Sequence, residues 1–146
     1  MTAHLYFGLN VAATPDGRKD KEPLADAISP RQGFDKNGPT AYIRSAAKLP
    51  QCCLTNGDQL NIRFSPKSVE GDVGAMKLRQ LISTYFKLGG MQVQFNVVSS
   101  QQLHEAQANP DEYKNLVVRI AGFSTYFISL DKKTQDDFIM RTEQAV

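Results

Sequence analysis

Four groups of residues in this chain have types and spacings that chemistry can use. Ser45-Ala46-Ala47-Lys48 puts an amine one helical turn after a hydroxyl, as in the serine acyl-transferases whose lysine takes the proton of the nucleophile. The Ser-Asp-Asn and Lys-Thr-Gly segments that complete such sites do not occur, so the match reads as chance. Cys52-Cys53 offers adjacent thiols, but a nucleophilic cysteine needs a nearby base or positive field, and only Lys48 is close in sequence. The pair is therefore expected to be buried and structural, with no disulfide between neighbours. His4 and His104 stand apart, and together with the cysteines they give no zinc spacing. The fourth is a single glycine, Gly122, inside the apolar run Val117 to Phe127. It can serve a turn or bulge, or a close backbone approach. It can also serve chemistry directly: a glycine Cα radical lies flat and delocalises into both flanking amides, an arrangement that a side chain would twist.

These residues must be positioned by an ordinary single domain. The chain has 146 residues, 41% hydrophobic and 22% charged. A net charge of +2 with no long basic run speaks against nucleic acid. No apolar run is long enough for a membrane span and the N-terminus is not a secretory signal, so a cytoplasmic location is expected, with no membrane partner.

Leu5-Tyr6-Phe7 reads as a short strand. From Ala13 to Thr40, turn signals recur every few residues (Pro15-Asp16-Gly17, Glu22-Pro23, Ser29-Pro30, Asn37-Gly38-Pro39), marking a long ordered loop. Thr40 to Lys48 reads as a weak helix. Leu60 to Phe64 alternates as a half-buried strand, ended by Ser65-Pro66. In Asp72 to Leu88, Leu78, Leu81, Ile82 and Tyr85 fall on one helical face, with Gly89 as the stop. Met91 to Val98 alternates again: Met91, Val93, Phe95 and Val97 form the expected packed face, and Gln92, Gln94 and Asn96 the expected solvent face. Ser99 with Gln102 is a capping box for a helix to about Ala108, which Asn109-Pro110 ends. Leu116 to Ile120 is a strand, followed by the glycine loop. Asp131 caps a last helix from Lys132 to about Glu143, with Asp137 and Arg141 at i,i+4. The alternation predicts an α/β fold with mixed strand pairing.

Val117-x-Arg119-Ile120-Ala121-Gly122 resembles the radical-site motif of the glycyl radical enzymes, the family of pyruvate formate-lyase. The resemblance runs along nearly the whole chain. It includes Ala13 to Arg18, Glu22 to Asp26, Ile28-Ser29-Pro30, Asp35 to Ala41, Asn61 to Pro66, Asn109-Pro110 with Tyr113, and Arg141-Thr142. Gly89-Gly90-Met91-Gln92-Val93-Gln94-Phe95-Asn96 is closest to the dehydratase, eliminase and decarboxylase branch.

The resemblance implies the C-terminal part of a ten-stranded α/β barrel, with residues 1–66 a loop-rich barrel segment and 67–146 a helix-strand segment carrying the glycine loop. It implies that Gly122 stores a radical, with Arg119, Ala121, Phe123 and Tyr126 supporting the loop, and that no cofactor or metal is bound. A radical S-adenosylmethionine activating enzyme would remove the hydrogen. The family's Gly-Cys-x-Glu catalytic loop does not occur here, and Cys52-Cys53 lies elsewhere in the pattern. The chain is thus expected to be catalytically incomplete alone, to depend on a barrel partner for the thiyl cysteine, and to self-associate in its absence. Two positions depart from the family's usual residues: Phe123 where tyrosine is common, and Thr125 where alanine is common. They support the alternative of a non-radical binding or regulatory module that docks on an activase or barrel.

Overall fold

The structure, a computed structural model, describes residues 3–120 and 122–146. The expected strand at Leu5-Tyr6-Phe7 is instead part of helix α1 (Ala3–Gly8). Leu5 and Gly8 are buried while Tyr6 and Phe7 are exposed, a spacing of three that suits a helix and not a strand. Gly8 packs against the backbone of Glu22 and Pro23, with no room for a Cβ. The long loop follows, without regular structure, to helix α2 (Gly38–Ala46), which opens with Pro39 in its first turn.

Strand β1 (Asn61–Phe64) is the centre of a three-stranded parallel sheet, between β2 (Gln94–Val97) and β5 (Glu143–Gln144). All four β1 residues are buried, not half-buried as expected, because a central parallel strand is covered on both faces. Helix α3 (Gly71–Lys87) makes the crossover from β1 to β2. Leu81 and Tyr85 of its expected apolar face are buried, together with Gly74. Its C-terminus is a Schellman motif: Gly89 has φ +93° and gives its N–H to Phe86, while the Gly90 N–H reaches back to the Tyr85 carbonyl.

Helix α4 (Ser100–Ala108) is capped as expected, the Ser99 Oγ accepting the Gln102 N–H at 3.1 Å. Strands β3 (Val117–Ile120) and β4 (Phe123–Tyr126) form an antiparallel hairpin. The aromatic segment after Gly122 is therefore a strand, and the glycine turns one strand into the next. Helix α5 (Lys132–Met140) is capped by Asp131, which accepts the Thr134 N–H. It stops short of Glu143, because Glu143 and Gln144 pair with Arg63 and Phe64.

Two apolar cores result. Tyr42, Ile43, Ala46, Leu60, Ile62, Phe64, Leu81 and Tyr85 form one. Val98, Leu103, Ala106, Val118, Ile120, Phe127 and Phe138 form the other. The face of the sheet between them is polar. Asn61 pairs with Gln94, and Arg63 with both Asn96 and Glu143, so these side chains share one face. Gln94 and Asn96, assigned to solvent by alternation alone, are buried, while Met91 and Val97 on the supposed packed face are exposed. The period of two was right, and Val93 and Phe95 pack against the first core as expected; the amide face is covered as well, so the expectation of a solvent face fails. Among the described residues no helix is long and apolar enough to cross a membrane.

Candidate functional site

The hairpin is built by alternation. Val118 and Ile120 point into the second core and are almost wholly buried, while Val117 and Arg119 point away from it. The ladder runs Val117 with Tyr126, Val118 with Thr125, Arg119 with Ser124 and Ile120 with Phe123. Its open end is closed by the Phe127 N–H on the Leu116 carbonyl at 2.8 Å, and Phe127 anchors it against Phe138, ring centroids 6.3 Å apart. Gly122 lies at the tip, just before the paired Phe123, with φ +90°, a backbone setting that side chains strongly disfavour. A Cβ there would lie 2.9 Å from Gln59 Nε2.

The hairpin is joined to the sheet by a side chain. Asn96 Oδ1 accepts the Arg119 N–H at 2.7 Å, and Asn96 Nδ2 donates to the Arg119 carbonyl at 2.9 Å. The Arg119 guanidinium itself is outside, donating to Ser124 Oγ at 3.3 Å. Phe123 and Tyr126 are each about half exposed, at 46% and 51%. Of the expected loop residues, then, Phe123 adjoins Gly122, Arg119 lies three residues before it opposite Ser124, and Tyr126 is at the far end of the ladder, opposite Val117. Ala121 lies outside the described residues.

A charged cluster holds the hairpin's second core to the first. His4 Nε2 is 3.2 Å from Asp137 Oδ2 and its Nδ1 is 3.6 Å from Asp26. Arg141 bridges both carboxylates, at 2.9 Å to Asp26 and 3.3 Å to Asp137, the latter being the expected i,i+4 pair. Burial pushes the Asp137 carboxyl up, but the hydrogen bond from His4 and the Arg141 charge outweigh it and hold it below the usual carboxylate range. Glu143 behaves likewise: burial opposes ionisation, and the Ser100 N–H and hydroxyl, with the Arg63 charge, prevail. Arg63 donates to the Phe138 and Ile139 carbonyls, to the Arg141 carbonyl and to Ser100 Oγ, gathering the end of α5 onto β1. His4, Asp26, Arg63, Asp137 and Arg141 line a cavity of about 40 Å³, room for a water molecule.

The other candidates assemble nothing. Ser45 and Lys48 are both exposed. Cys52 and Cys53 are free but exposed, on a short 3₁₀ turn (Gln51–Cys53). Their expected burial fails because Gln51 is the residue of that turn that goes inside, where it donates to the Tyr85 hydroxyl at 3.0 Å and accepts the Met91 N–H at 2.7 Å. His4 belongs to the charged cluster and His104 is exposed. Sequence reasoning missed Asn96 and Gln59. For Asn96 a signal existed: Asn61 and Arg63 alternate in one strand, Gln94 and Asn96 in the next, and a helix separates the strands. A parallel crossover puts two such polar stripes on one face.

Comparison with known proteins places this arrangement. The glycine radical family model matches residues 24–128. The chain is 46% identical over 143 residues to the trans-4-hydroxy-L-proline dehydratase of Clostridioides difficile, covering 98% of the chain and 18% of that enzyme. It is 46% identical over 147 residues to the isethionate sulfite-lyase of Desulfovibrio desulfuricans, covering 99% of the chain and 18% of that enzyme. The solved structure of the glycerol-bound, B12-independent glycerol dehydratase from Clostridium butyricum superimposes with a TM-score of 0.95 at 48% identity, over 98% of this chain and 18% of that one. The chain thus spans 18% of the length of these relatives. The family model covers most of the chain, and it belongs to the glycyl radical enzyme family.

Proposed function

We propose that this chain is the radical-bearing part of a dehydratase- or lyase-type glycyl radical enzyme, with Gly122 as the radical site. The observation that carries the reading is the setting of Gly122: a glycine at φ +90° at the tip of a hairpin, in the segment matched by the glycine radical family model. An activating enzyme removes one hydrogen atom from the Gly122 Cα. The unpaired electron is shared with the two flanking amides. A cysteine S–H then returns a hydrogen atom to Gly122, which leaves a thiyl radical to attack the substrate. Cys52 and Cys53 sit on a separate exposed turn, so that cysteine comes from a further part of the barrel, in the same polypeptide or a partner.

The exposed side of the hairpin supports this dependence. Val117, Phe123 and Tyr126 are large apolar or aromatic groups exposed along the hairpin, Phe123 next to the tip and the other two at its far end, where the rest of a ten-stranded barrel would cover them. In this reading Arg119, Phe123 and Tyr126 support the loop by packing on that barrel, and Ala121 is assigned to it by the motif alone. Phe123 keeps the ring of the usual tyrosine and loses only its hydroxyl. The dehydratase and lyase names of the relatives point to elimination chemistry. The activating enzyme carries the iron–sulfur cluster and S-adenosylmethionine; this chain contributes the glycine.

The test is anaerobic incubation with S-adenosylmethionine and a dehydratase-type activating enzyme. A glycyl doublet in the electron spin resonance spectrum is expected, and it disappears in Gly122→Ala. Absence of a signal with several activating enzymes overturns the proposal and favours a non-radical docking module.

A further inference from the structure

Gln59 stands at the entrance of β1, one residue before the fully buried Leu60. Its backbone is tied on both sides. The Gln59 carbonyl accepts the Ile28 N–H at 3.3 Å. The Leu60 N–H donates to Gln92 Oε1 at 3.0 Å, and the Leu60 carbonyl accepts the Gln94 N–H at 2.9 Å. The half-buried side chain therefore leaves a fixed point of the sheet, and it ends at the hairpin tip. Its Nε2 lies 2.9 Å from where a Gly122 Cβ would be. Among the described residues, and setting aside the glycine's chain neighbours, it is the only heavy atom within 4 Å of that point.

We propose that Gln59 is the cover of the Gly122 Cα: its carboxamide closes one side of the glycine against small reactants. The proposal rests on the radical reading above. A planar Cα radical has two open faces, and any reactant must approach along one of them. On the side where an L side chain would project, the approach is occupied by the Gln59 amide. The chemistry of that group suits the place. Amide N–H and methylene C–H bonds are stronger than a glycine Cα–H bond weakened by delocalisation into two amides, so the radical does not draw hydrogen from Gln59. A thiol at the same point would offer a much weaker bond to hydrogen and open a competing transfer. Glutamine thus shields without quenching, and it remains neutral at every pH at which the protein is folded.

The contact and its consequence are tested separately. In the unactivated chain, labelled with ¹³C and ¹⁵N, nuclear Overhauser effects are expected between the Gln59 side-chain amide protons and the Gly122 α protons. Their absence overturns the cover whatever becomes of the radical. In the activated protein, the spin resonance signal is followed under limiting oxygen. Gln59→Ala is expected to lose it several-fold faster than wild type, and Gln59→Leu, which keeps the bulk, at close to the wild-type rate. Equal decay in all three overturns the cover. Should Gln59→Ala not fold, coupling between the radical and the ¹⁵N of Gln59 Nε2 in the wild-type protein decides instead, and zero coupling overturns the cover. A wild-type chain that shows the contact but never acquires a radical overturns the radical reading, and the shielding role with it.

Discussion

The side-chain amide of Asn96 pairs with both backbone polar groups of Arg119, accepting its N–H at 2.7 Å and donating to its carbonyl at 2.9 Å. An asparagine amide here imitates the edge of a neighbouring strand. It lets β2 hold β3 three residues from Gly122 without a backbone ladder between the two strands. Truncation in Asn96→Ala leaves both Arg119 groups without this partner. A loss of about 1–3 kcal/mol for each buried group left unpaired sets the scale. Faster amide exchange across 117–126 is expected, with β1 and α3 little changed. Asn96→Asp keeps the acceptor but turns a carboxylate oxygen toward the Arg119 carbonyl. It should be as damaging as alanine near neutrality and recover in acid, when the protonated carboxyl can donate again. Hydrogen exchange at two pH values checks both variants.

Under the proposed radical role, Gly122→Ala is expected to carry a smaller structural cost than its chemical one. A non-glycine residue in the left-handed region costs about 1–2 kcal/mol. The nearest obstacle, Gln59 Nε2, is the far end of a flexible side chain and can move aside. The variant should stay folded, with a midpoint of denaturant unfolding only slightly lowered, while radical formation is abolished. Loss of the fold itself would instead mark Gly122 as a packing glycine.

Gly90 is tighter. A Cβ at that position would lie 2.4 Å from the Tyr85 ring, and Tyr85 is fully buried with its hydroxyl held by Gln51. Gly90→Ala must displace a core aromatic, and overpacking of this kind costs about 1–3 kcal/mol. Tyr85→Phe keeps the ring and leaves Gln51 Nε2 with the Ala46 carbonyl at 3.3 Å, so its cost should lie near 1 kcal/mol. Chemical denaturation of the two variants, with Gly90→Ala the less stable, tests this order.

These cases show where the sequence was legible. Period and punctuation located α3, the Ser99 and Asp131 caps, the Gly89 stop and the Asp137–Arg141 pair, because each depends on neighbours within one or two turns. Burial was harder to read. Gln94 and Asn96 look like a solvent face until Asn61 and Arg63 come alongside them, and Leu5-Tyr6-Phe7 looks like a strand until Gly8 packs on Glu22 and Pro23. Asn96 meets Arg119 across 23 residues, and Gln32 donates to the Asp137 carbonyl across 105. Such partners are set by the crossover and the docking of α5, which no local pattern encodes. The motif singles out Gly122, the proposed site; Gln59, whose amide lies where a Gly122 side chain would project, precedes β1 and carried no motif at all.

The thiols offer a direct check on one reversed expectation. Cys52 and Cys53 are exposed on their turn while Gln51 is inside. Both should react with a thiol-specific disulfide reagent in the native chain, without denaturant and at similar rates. Protection of both until unfolding would restore the buried reading.

Acid should act first on the cluster that holds the two cores together. Asp137 is deeply buried, yet its carboxyl sits below the usual range because His4 and Arg141 favour the charged form over the penalty of burial. A carboxylate whose folded pKa is depressed contributes stability above its unfolded value of about 3.9. That contribution disappears as the pH falls through the lower, folded value. Glu143 adds a slope of the same sign, from Ser100 and Arg63. Stability should therefore hold from neutrality down to about pH 4 as far as these groups are concerned, then decline steeply. In Asp137→Asn the neutral-pH stability falls, because Arg141 and His4 lose one of their two carboxylates, and the acid slope becomes shallower. Urea unfolding at a series of pH values measures both. A variant with lower stability and an unchanged acid slope would assign the acid sensitivity to carboxylates other than Asp137.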